Sequence, residues 1–137
     1  FKGKKSKGTD VNEAKEYSLK SKVDAMAISV GNTHLQRSKI AKINYQKILE
    51  IQSVTRLPLV LHGSSGISHI MRNRIARSTK VAKFNIGTEL RMIACKSLRK
   101  SYNNNIKNFD KISIIKPSIK ALKKETIKVI KNIGPNK

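Results

Sequence analysis

The 137-residue chain is poor in cysteine, in acidic residues and in long apolar runs. Its single cysteine, Cys95, excludes an internal disulfide and fits a reducing compartment, so we expect a cytoplasmic protein. No apolar run approaches the ~20 residues of a membrane-spanning helix. The N-terminus lacks the apolar core of a signal peptide. These absences predict a protein without a membrane partner.

Acidic residues are scarce relative to basic ones. Thirty Lys and Arg against eight Asp and Glu give a formal charge of +22. Such a charge raises the possibility of a nucleic-acid or anionic partner. The basic residues are spread along the chain, however, with modest groups at 2–7, 72–80 and 116–131, and no stripe of interleaved aromatics accompanies them. Abundant Lys, Ile and Asn favour compositional drift in an AT-rich genome, rather than a designed basic face, as the origin of this charge. Nonspecific nucleic-acid binding is therefore the alternative function and not the leading one.

Three short apolar stretches predict strands of a parallel sheet, over about 23–30, 57–62 and 81–86. Runs of this length, bounded by Pro58 and by glycines, are typical of strands that are buried on both faces. Polar residues stand where each predicted strand ends. Ligands of α/β folds gather at the carboxyl ends of parallel strands, so we expect the three ends to share one site.

Helical patterns flank these strands, with Asp10 and Asn44 as predicted N-caps. The predicted helices span 10–22, 43–54, 68–78, 88–102 and 117–133. Gly134 and Pro135 end the last of them. We expect Cys95 to pack in the core. The predicted inward residues are Ala14, Tyr17, Leu19, Ile48, Leu49, Ile51, Ile70, Ile75, Leu90, Ile93, Ala94, Leu98, Ile119, Leu122, Thr126, Val129, Ile130 and Ile133.

The alternation of helices and strands indicates right-handed crossovers in one α/β domain over 10–137, after a basic loop or severed end at 1–9. A closed (β/α)₈ barrel needs ~250 residues. Three parallel strands would leave two bare edges. We therefore expect part of a barrel. The chain begins with Phe1 rather than Met, which indicates processing or a longer parent.

The polar strand ends favour a site for a metal and an anion. His34 and His62 stand at two of these strand ends, where a histidine can hold a metal or an anion, and Gly63, Ser64 and Ser65 form a loop whose amides can cradle an anion. Each feature also has a structural interpretation. A histidine at a strand end is often a packing group, a Gly-Ser loop is often only a turn, and Asn85 and Thr88 could cap the next helix. His69 is expected on the surface.

The motifs GNTH at 31–34, LVLHGSSG at 59–66 and KFNIGTELR at 83–91, in this order and spacing, resemble the second half of class II ketose-bisphosphate aldolases. The resemblance runs from about Thr9 to the end. It implies the C-terminal half of a (β/α)₈ TIM barrel. It also implies zinc-dependent, reversible cleavage of fructose or tagatose bisphosphate to dihydroxyacetone phosphate and glyceraldehyde 3-phosphate in glycolysis or related carbohydrate metabolism. NIGTELR is nearer to the tagatose-type branch.

The resemblance also assigns roles. His34 and His62 match two of the family's three zinc ligands, and the zinc would polarise the ketone as a Lewis acid. Gly63, Ser64 and Ser65 match the phosphate-binding loop. A second substrate segment is formed by Asn85, Ile86, Gly87 and Thr88, with Thr88 on the phosphate and Asn85 at the enediolate end. The full-length parent is expected to be a homo-oligomer.

Two departures bear on activity. Leu35 stands where the family usually has a glycine whose N–H meets the phosphate, and leucine resists a positive φ. The family's acid/base Asp and its third zinc histidine belong to the first half of the barrel, outside this sequence. A missing acid/base group costs about 10²–10⁴-fold in rate, so the chain alone is predicted to be inactive. The alternatives are a nucleic-acid-binding protein and a non-catalytic half-barrel remnant or scaffold.

Overall fold

A computed structural model describes residues 8–31 and 42–134, arranged as five helices and three strands. His34 and Leu35 lie outside these residues. In chain order the elements are α1 (Val11–Lys20), β1 (Met26–Ile28), α2 (Tyr45–Val54), β2 (Leu59–Leu61), α3 (His69–Ser78), β3 (Val81–Phe84), α4 (Thr88–Asn104) and α5 (Lys111–Ile133).

The three strands form one parallel sheet in the order β1-β2-β3, as predicted. Each strand is shorter than expected. Hydrogen bonds nevertheless extend the pairing beyond the strands, because the N–H of Met26 donates to the carbonyl of Pro58 at 2.9 Å and the N–H of Asn85 donates to that of Leu61 at 2.9 Å. The sheet therefore places the ends of β2 and β3 side by side.

The chain divides into two compact units at the boundary between Asn85 and Ile86. The first unit contains the sheet and the main hydrophobic core. Its centre consists of side chains with 0 % exposure that come from α2, β2 and α3, namely Ile48, Ile51, Leu59, Leu61 and Ile75. β1 and β2 are wholly apolar, but β3 includes the exposed Lys83, and Ala27 in β1 is exposed too, so the predicted burial of these two strands on both faces was wrong.

Both predicted N-caps are confirmed. Asp10 accepts hydrogen bonds from the N–H groups of Asn12 (2.8 Å) and Glu13 (3.1 Å), and these bonds lower the pKa of its carboxyl. Asn44 accepts from the N–H of Lys47 at 3.0 Å. A residue with an oxygen in its side chain therefore satisfies the first orphan donors of α1 and α2.

The residues predicted to face inward from the short helices were only partly correct. Ala14 and Ile75 are buried, but Leu19 and Ile70 are exposed. Both exposed residues lie five positions from the buried one. At ~100° per residue this separation places them about 140° around the helix, away from the core. Tyr17 is also half-exposed.

The second unit is a pair of helices, α4 and α5, which pack against each other. Helix α5 begins at Lys111 rather than near Pro117, because Asp110 accepts hydrogen bonds from the N–H groups of Ile112 (3.0 Å) and Ser113 (3.3 Å). Pro117 lies inside the helix, where it removes one backbone donor. The predicted start was therefore wrong.

Several apolar side chains of this second unit are exposed, contrary to the prediction. Ile119 and Ile130 of α5 are exposed, whereas Ser118 and Val129 are buried. Cys95 of α4 is exposed as well. No residue of α4 is buried, and the structure describes the whole of that helix. Within residues 8–31 and 42–134, no helix combines the length and apolarity that crossing a membrane requires.

Candidate functional site

The ends of β2 and β3 are joined by backbone hydrogen bonds around Asn85. The N–H of Asn85 donates to the carbonyl of Leu61 at 2.9 Å, and the carbonyl of Asn85 accepts from the N–H of Ser64 at 3.1 Å. Both peptide groups of Asn85 therefore bind the segment that carries His62. This arrangement fixes the loop after β2 against the end of β3.

The ring of His62 is half-buried and lies against the side chain of Asn85. The amide nitrogen of Asn85 is 3.2 Å from Nδ1 of the ring and 3.5 Å from Nε2. The amide nitrogen of Asn85 is a donor, whereas a metal-ligating histidine donates its second ring N–H to an oxygen. Asn85 therefore meets this requirement only with its side-chain amide rotated so that Oδ1 faces the ring.

Two glycines in the left-handed region shape the loop that follows His62. Gly63 has φ 57° and Gly66 has φ 85°, a conformation that costs L-residues about 1–2 kcal/mol. Between them, Ser64 is fully buried and Ser65 is nearly so. The loop is therefore a compact turn whose two serines are buried.

Ser64 is an internal brace of this loop. Its hydroxyl donates to the carbonyl of Leu61 at 2.8 Å, and its N–H donates to the carbonyl of Asn85. Both of its donors are thus engaged within the protein, and its side chain has 0 % exposure. The predicted phosphate contact through Ser64 would require these bonds to change.

The sequence prediction did not include Arg72 in this region. Arg72 is in α3 and has 1 % exposure. Its Nη2 donates to the carbonyl of Ile67 at 3.1 Å, directly after the glycine-bounded turn. A useful signal was its position three residues before the core residue Ile75, which places both on neighbouring parts of one helix face.

The second predicted substrate segment continues from Asn85 into the start of α4. Ile86, Gly87 and Thr88 are half-buried. Gly87 is the N-cap residue, and it supplies no side-chain hydrogen bond to the helix. Thr88 accepts a hydrogen bond on Oγ1 from Nη2 of Arg91 at 3.3 Å. The side chain of Asn85 contacts His62, so it does not serve as the cap.

The segment that contains His34 leaves and re-enters the first unit at neighbouring points. Gly31 has φ 96°, and a Cβ on it would lie 2.5 Å from the carbonyl oxygen of Lys42. The N–H of Asn44 donates to the carbonyl of Val30 at 2.8 Å. The predicted contributions of His34 and Leu35 fall between these points and lie outside the described residues. His69 is exposed, as predicted.

The family model for class II fructose-bisphosphate aldolase matches residues 2–137. This chain belongs to that aldolase family. The crystal structure of the YdjI aldolase from Escherichia coli K12 is similar, with a TM-score of 0.73 and 30% sequence identity over 93% of this chain. The match covers 46% of the YdjI chain, so this chain spans less than half of that aldolase.

Membership of the class II aldolase family confirms the resemblance that the three motifs indicated. The similarity to YdjI also confirms the predicted fold, an α/β arrangement that forms part of an aldolase barrel. Across 8–31 and 42–134, no three His, Cys, Asp or Glu side chains come together as a metal site. His62 nevertheless suits zinc, because it is a half-buried imidazole at the end of a strand.

Proposed function

We propose that this chain is the C-terminal half of a zinc-dependent ketose-bisphosphate aldolase. The reaction is the reversible cleavage of a ketose bisphosphate to dihydroxyacetone phosphate and glyceraldehyde 3-phosphate, within carbohydrate metabolism in the cytoplasm. The observation that carries the proposal is the join at the sheet's carboxyl end, where Asn85 holds both the ring of His62 and the loop at Ser64. The NIGTELR segment favours a tagatose-type substrate.

His62 is the proposed zinc ligand of the described residues, and His34 is the second. Zinc needs three protein ligands and an open position in a catalytic site, so the remaining ligand comes from outside this sequence. When bound, the metal supplies Lewis-acid polarisation of the substrate ketone. Asn85 lies against the His62 ring. With its side-chain amide rotated, its Oδ1 would accept the N–H of the second ring nitrogen and so orient the ligand, as the neighbours of metal-ligating histidines do.

The loop after His62 is the proposed phosphate site. Gly63 and Ser65 would donate through their N–H groups, and Ser65 also through its hydroxyl. Ser64 acts as the brace described above. Ile86, Gly87 and Thr88 would contribute from the start of α4, where a helix N-terminus favours an anion. The N–H of Leu35 is the remaining proposed contact.

The isolated chain is expected to be inactive, because the acid/base Asp and a third ligand belong to the preceding half of the family's barrel. Its working form is a longer polypeptide or a complex with a separate half, and the full-length parent is expected to be a homo-oligomer. The first measurement is the intact mass of the protein made by its source cell. A mass about twice that of this chain supports the proposal. A native product of this length, with no companion half, contradicts it.

A pair of histidine variants tests the site in the native protein. We expect His62→Ala to lose zinc and to reduce kcat/KM for the ketose bisphosphate by at least about 10³-fold, because both the metal and its orientation are removed. His69→Ala is the matched control, since His69 is an exposed histidine a few residues after the same loop and has no proposed ligand role. Equal zinc content and equal activity in both variants would contradict the proposal.

A second candidate, polyanion binding, is favoured by the outer face of α5. Six exposed lysines fall within about 140° of arc on this helix: Lys116, Lys120, Lys123, Lys124, Lys128 and Lys131. Opposite them lie the buried Ser118 and Val129. Binding to DNA of unrelated sequences should weaken with salt, and replacing three of the lysines with Gln should reduce the logarithmic salt slope by about 2–3. An unchanged slope would exclude this face.

A further inference from the structure

Arg72 is the one basic residue that is buried among those that the structure describes. Its side chain is 1 % exposed and is the largest of the fully buried side chains. A guanidinium is costly to remove from water unless acceptors surround it. An apolar residue at this core-facing position would avoid that cost. The presence of arginine therefore requires an explanation beyond packing.

The described acceptors of Arg72 belong to the proposed phosphate loop and face one nitrogen, Nη2, whereas Nε and Nη1 are buried without a hydrogen-bond acceptor among the residues that the structure describes. Its Nη2 donates to the carbonyl of Ile67 at 3.1 Å and reaches the carbonyl of Ser64 at 3.5 Å. The N–H of Ile67 also approaches the carbonyl of Ser64 at 3.5 Å. The guanidinium thus lies on the inner side of the turn, against the carbonyl groups at both of its ends.

The direction of these carbonyls determines the direction of the next N–H groups. In a trans peptide the C=O and N–H point to opposite sides, and none of the described peptide bonds is cis. The carbonyl of Ser64 faces Arg72, so the N–H of Ser65 in the same peptide group faces away from it. The N–H of Ser65 is one of the donors that the proposed function assigns to phosphate.

We infer that Arg72 is a positioning residue for the phosphate group of the substrate. Its buried guanidinium holds the Ser64 and Ile67 carbonyls inward, which turns the N–H of Ser65 outward to an incoming anion. Its positive charge on the opposite side of the turn also favours a negative charge at the loop, because electrostatic interactions are strong where water is excluded. This inference rests on the proposed function and adds a residue to it.

Arg74 offers a matched control on the same helix. It carries the same charge two residues away, but it is exposed, and its guanidinium lies 4.1 Å from the centre of the Tyr45 ring. Replacing either arginine with Met removes one positive charge and keeps an unbranched side chain. Only the replacement of Arg72 removes the donor to the loop.

The test is calorimetric titration of the native protein with inorganic phosphate, followed by steady-state kinetics with the ketose bisphosphate. We expect Arg72→Met to raise the Kd for phosphate about tenfold and to raise KM more than it lowers kcat. Arg74→Met should change both by less than about twofold, because the charge of an exposed side chain is screened by salt. Arg72→Lys should fall between the two, because it keeps the charge but not the fork of donors.

The outcomes separate this inference from the proposed function. If the unaltered protein binds phosphate and the Arg72 variants bind it as Arg74→Met does, the inference is overturned and the proposed function stands. A lower melting temperature with an unchanged Kd would likewise reduce Arg72 to a structural role. If the unaltered protein neither binds phosphate nor cleaves the substrate, both fail. Should Arg72→Met not fold, the comparison of Arg72→Lys with Arg74→Met decides the question.

Discussion

The two ends of the sheet use polar side chains in different ways. At the amino end, Lys80 closes the end of α2. Its Nζ donates to the carbonyls of Gln52 (2.9 Å) and Thr55 (2.8 Å), and its N–H donates to Oε1 of Gln52 at 2.9 Å. These bonds satisfy carbonyls that a helix C-terminus leaves without partners. No strained backbone accompanies them.

The carboxyl end contains features that stability alone does not require. It has three glycines with positive φ, a buried hydroxyl on Ser64, a buried cation on Arg72 and the half-buried ring of His62. The chain accepts less regular backbone and buried polar groups here. In barrel enzymes the carboxyl ends of the strands carry the chemistry and the amino ends carry stability. This chain has a corresponding contrast in backbone conformation and buried polar groups between the two ends of one three-stranded sheet.

The sharpest test of this comparison is Asn85→Ala at the carboxyl end. We expect zinc affinity of the native protein to fall by about 10–100-fold, because the neighbour that orients His62 is lost while the backbone bonds of residue 85 remain. Stability should change little. Asn103→Ala, on an exposed part of α4, is the control. Zinc affinity that stays equal in the two variants would remove Asn85 from the site.

A smaller effect is expected from Ser64→Ala. The variant removes the buried bond from Oγ to the carbonyl of Leu61 and should lower the free energy of unfolding by about 1–2 kcal/mol. Ser53→Ala removes the same kind of bond, to the carbonyl of Glu50, on an exposed helix surface. It should cost less than about 0.5 kcal/mol. Denaturant unfolding of both variants measures the difference, and equal losses would show that burial of Ser64 adds nothing.

The amino end should respond in stability only. Lys80→Met removes both Nζ bonds and should lower the free energy of unfolding by about 1 kcal/mol, since the group is exposed and the bonds compete with water. Zinc and phosphate affinities should stay unchanged. Lys83→Met, an exposed position on β3, controls for the lost charge. A change in phosphate affinity on replacing Lys80 would contradict the separation of the two ends.

The smallest effect concerns Asp10, which caps α1 without any part in the site. Backbone N–H groups of Glu13 and Asn12 lower its pKa. A carboxyl with a lowered pKa in the folded state stabilises the fold above its unfolded pKa, and that contribution is lost as pH falls through the folded pKa. We expect Asp10→Ala to lower the melting temperature slightly near neutral pH and not at pH 2. Equal effects at both pH values would show that charge is irrelevant to the cap.

Local chemistry in the sequence predicted a large part of this fold. Asp10 and Asn44 were identified as caps because short side chains with oxygen accept backbone N–H groups. The start of α5 was missed because Pro117 resembles a first helical residue, whereas the capping residue Asp110 lies about two turns earlier. Leu19 and Ile70 were misplaced because a ten-residue helix permits more than one apolar face.

The candidate site was less predictable than the strands that hold it. His62, Gly63 and Asn85 were found through their position after apolar runs, and the family match supports that reasoning. The roles of the individual loop residues could not be predicted from the sequence. Ser64 resembles a ligand-binding hydroxyl in sequence, yet its donors bind Leu61 and Asn85. Arg72 resembled a surface charge, because burial of a cation depends on carbonyl directions that only the fold establishes.

The close approach of Gly31 and Lys42 bears on the length of the connection between them. The chain departs from the sheet and returns to it at almost one point, so the number of residues between these positions is not constrained by the distance to be spanned. Lengthening such a connection costs only about 0.6 kcal/mol per doubling. Closure of this connection therefore does not fix its length, and the proposed roles of His34 and Leu35 are what would restrict it. Gly31 itself has no such freedom, since any side chain there would collide with the returning backbone.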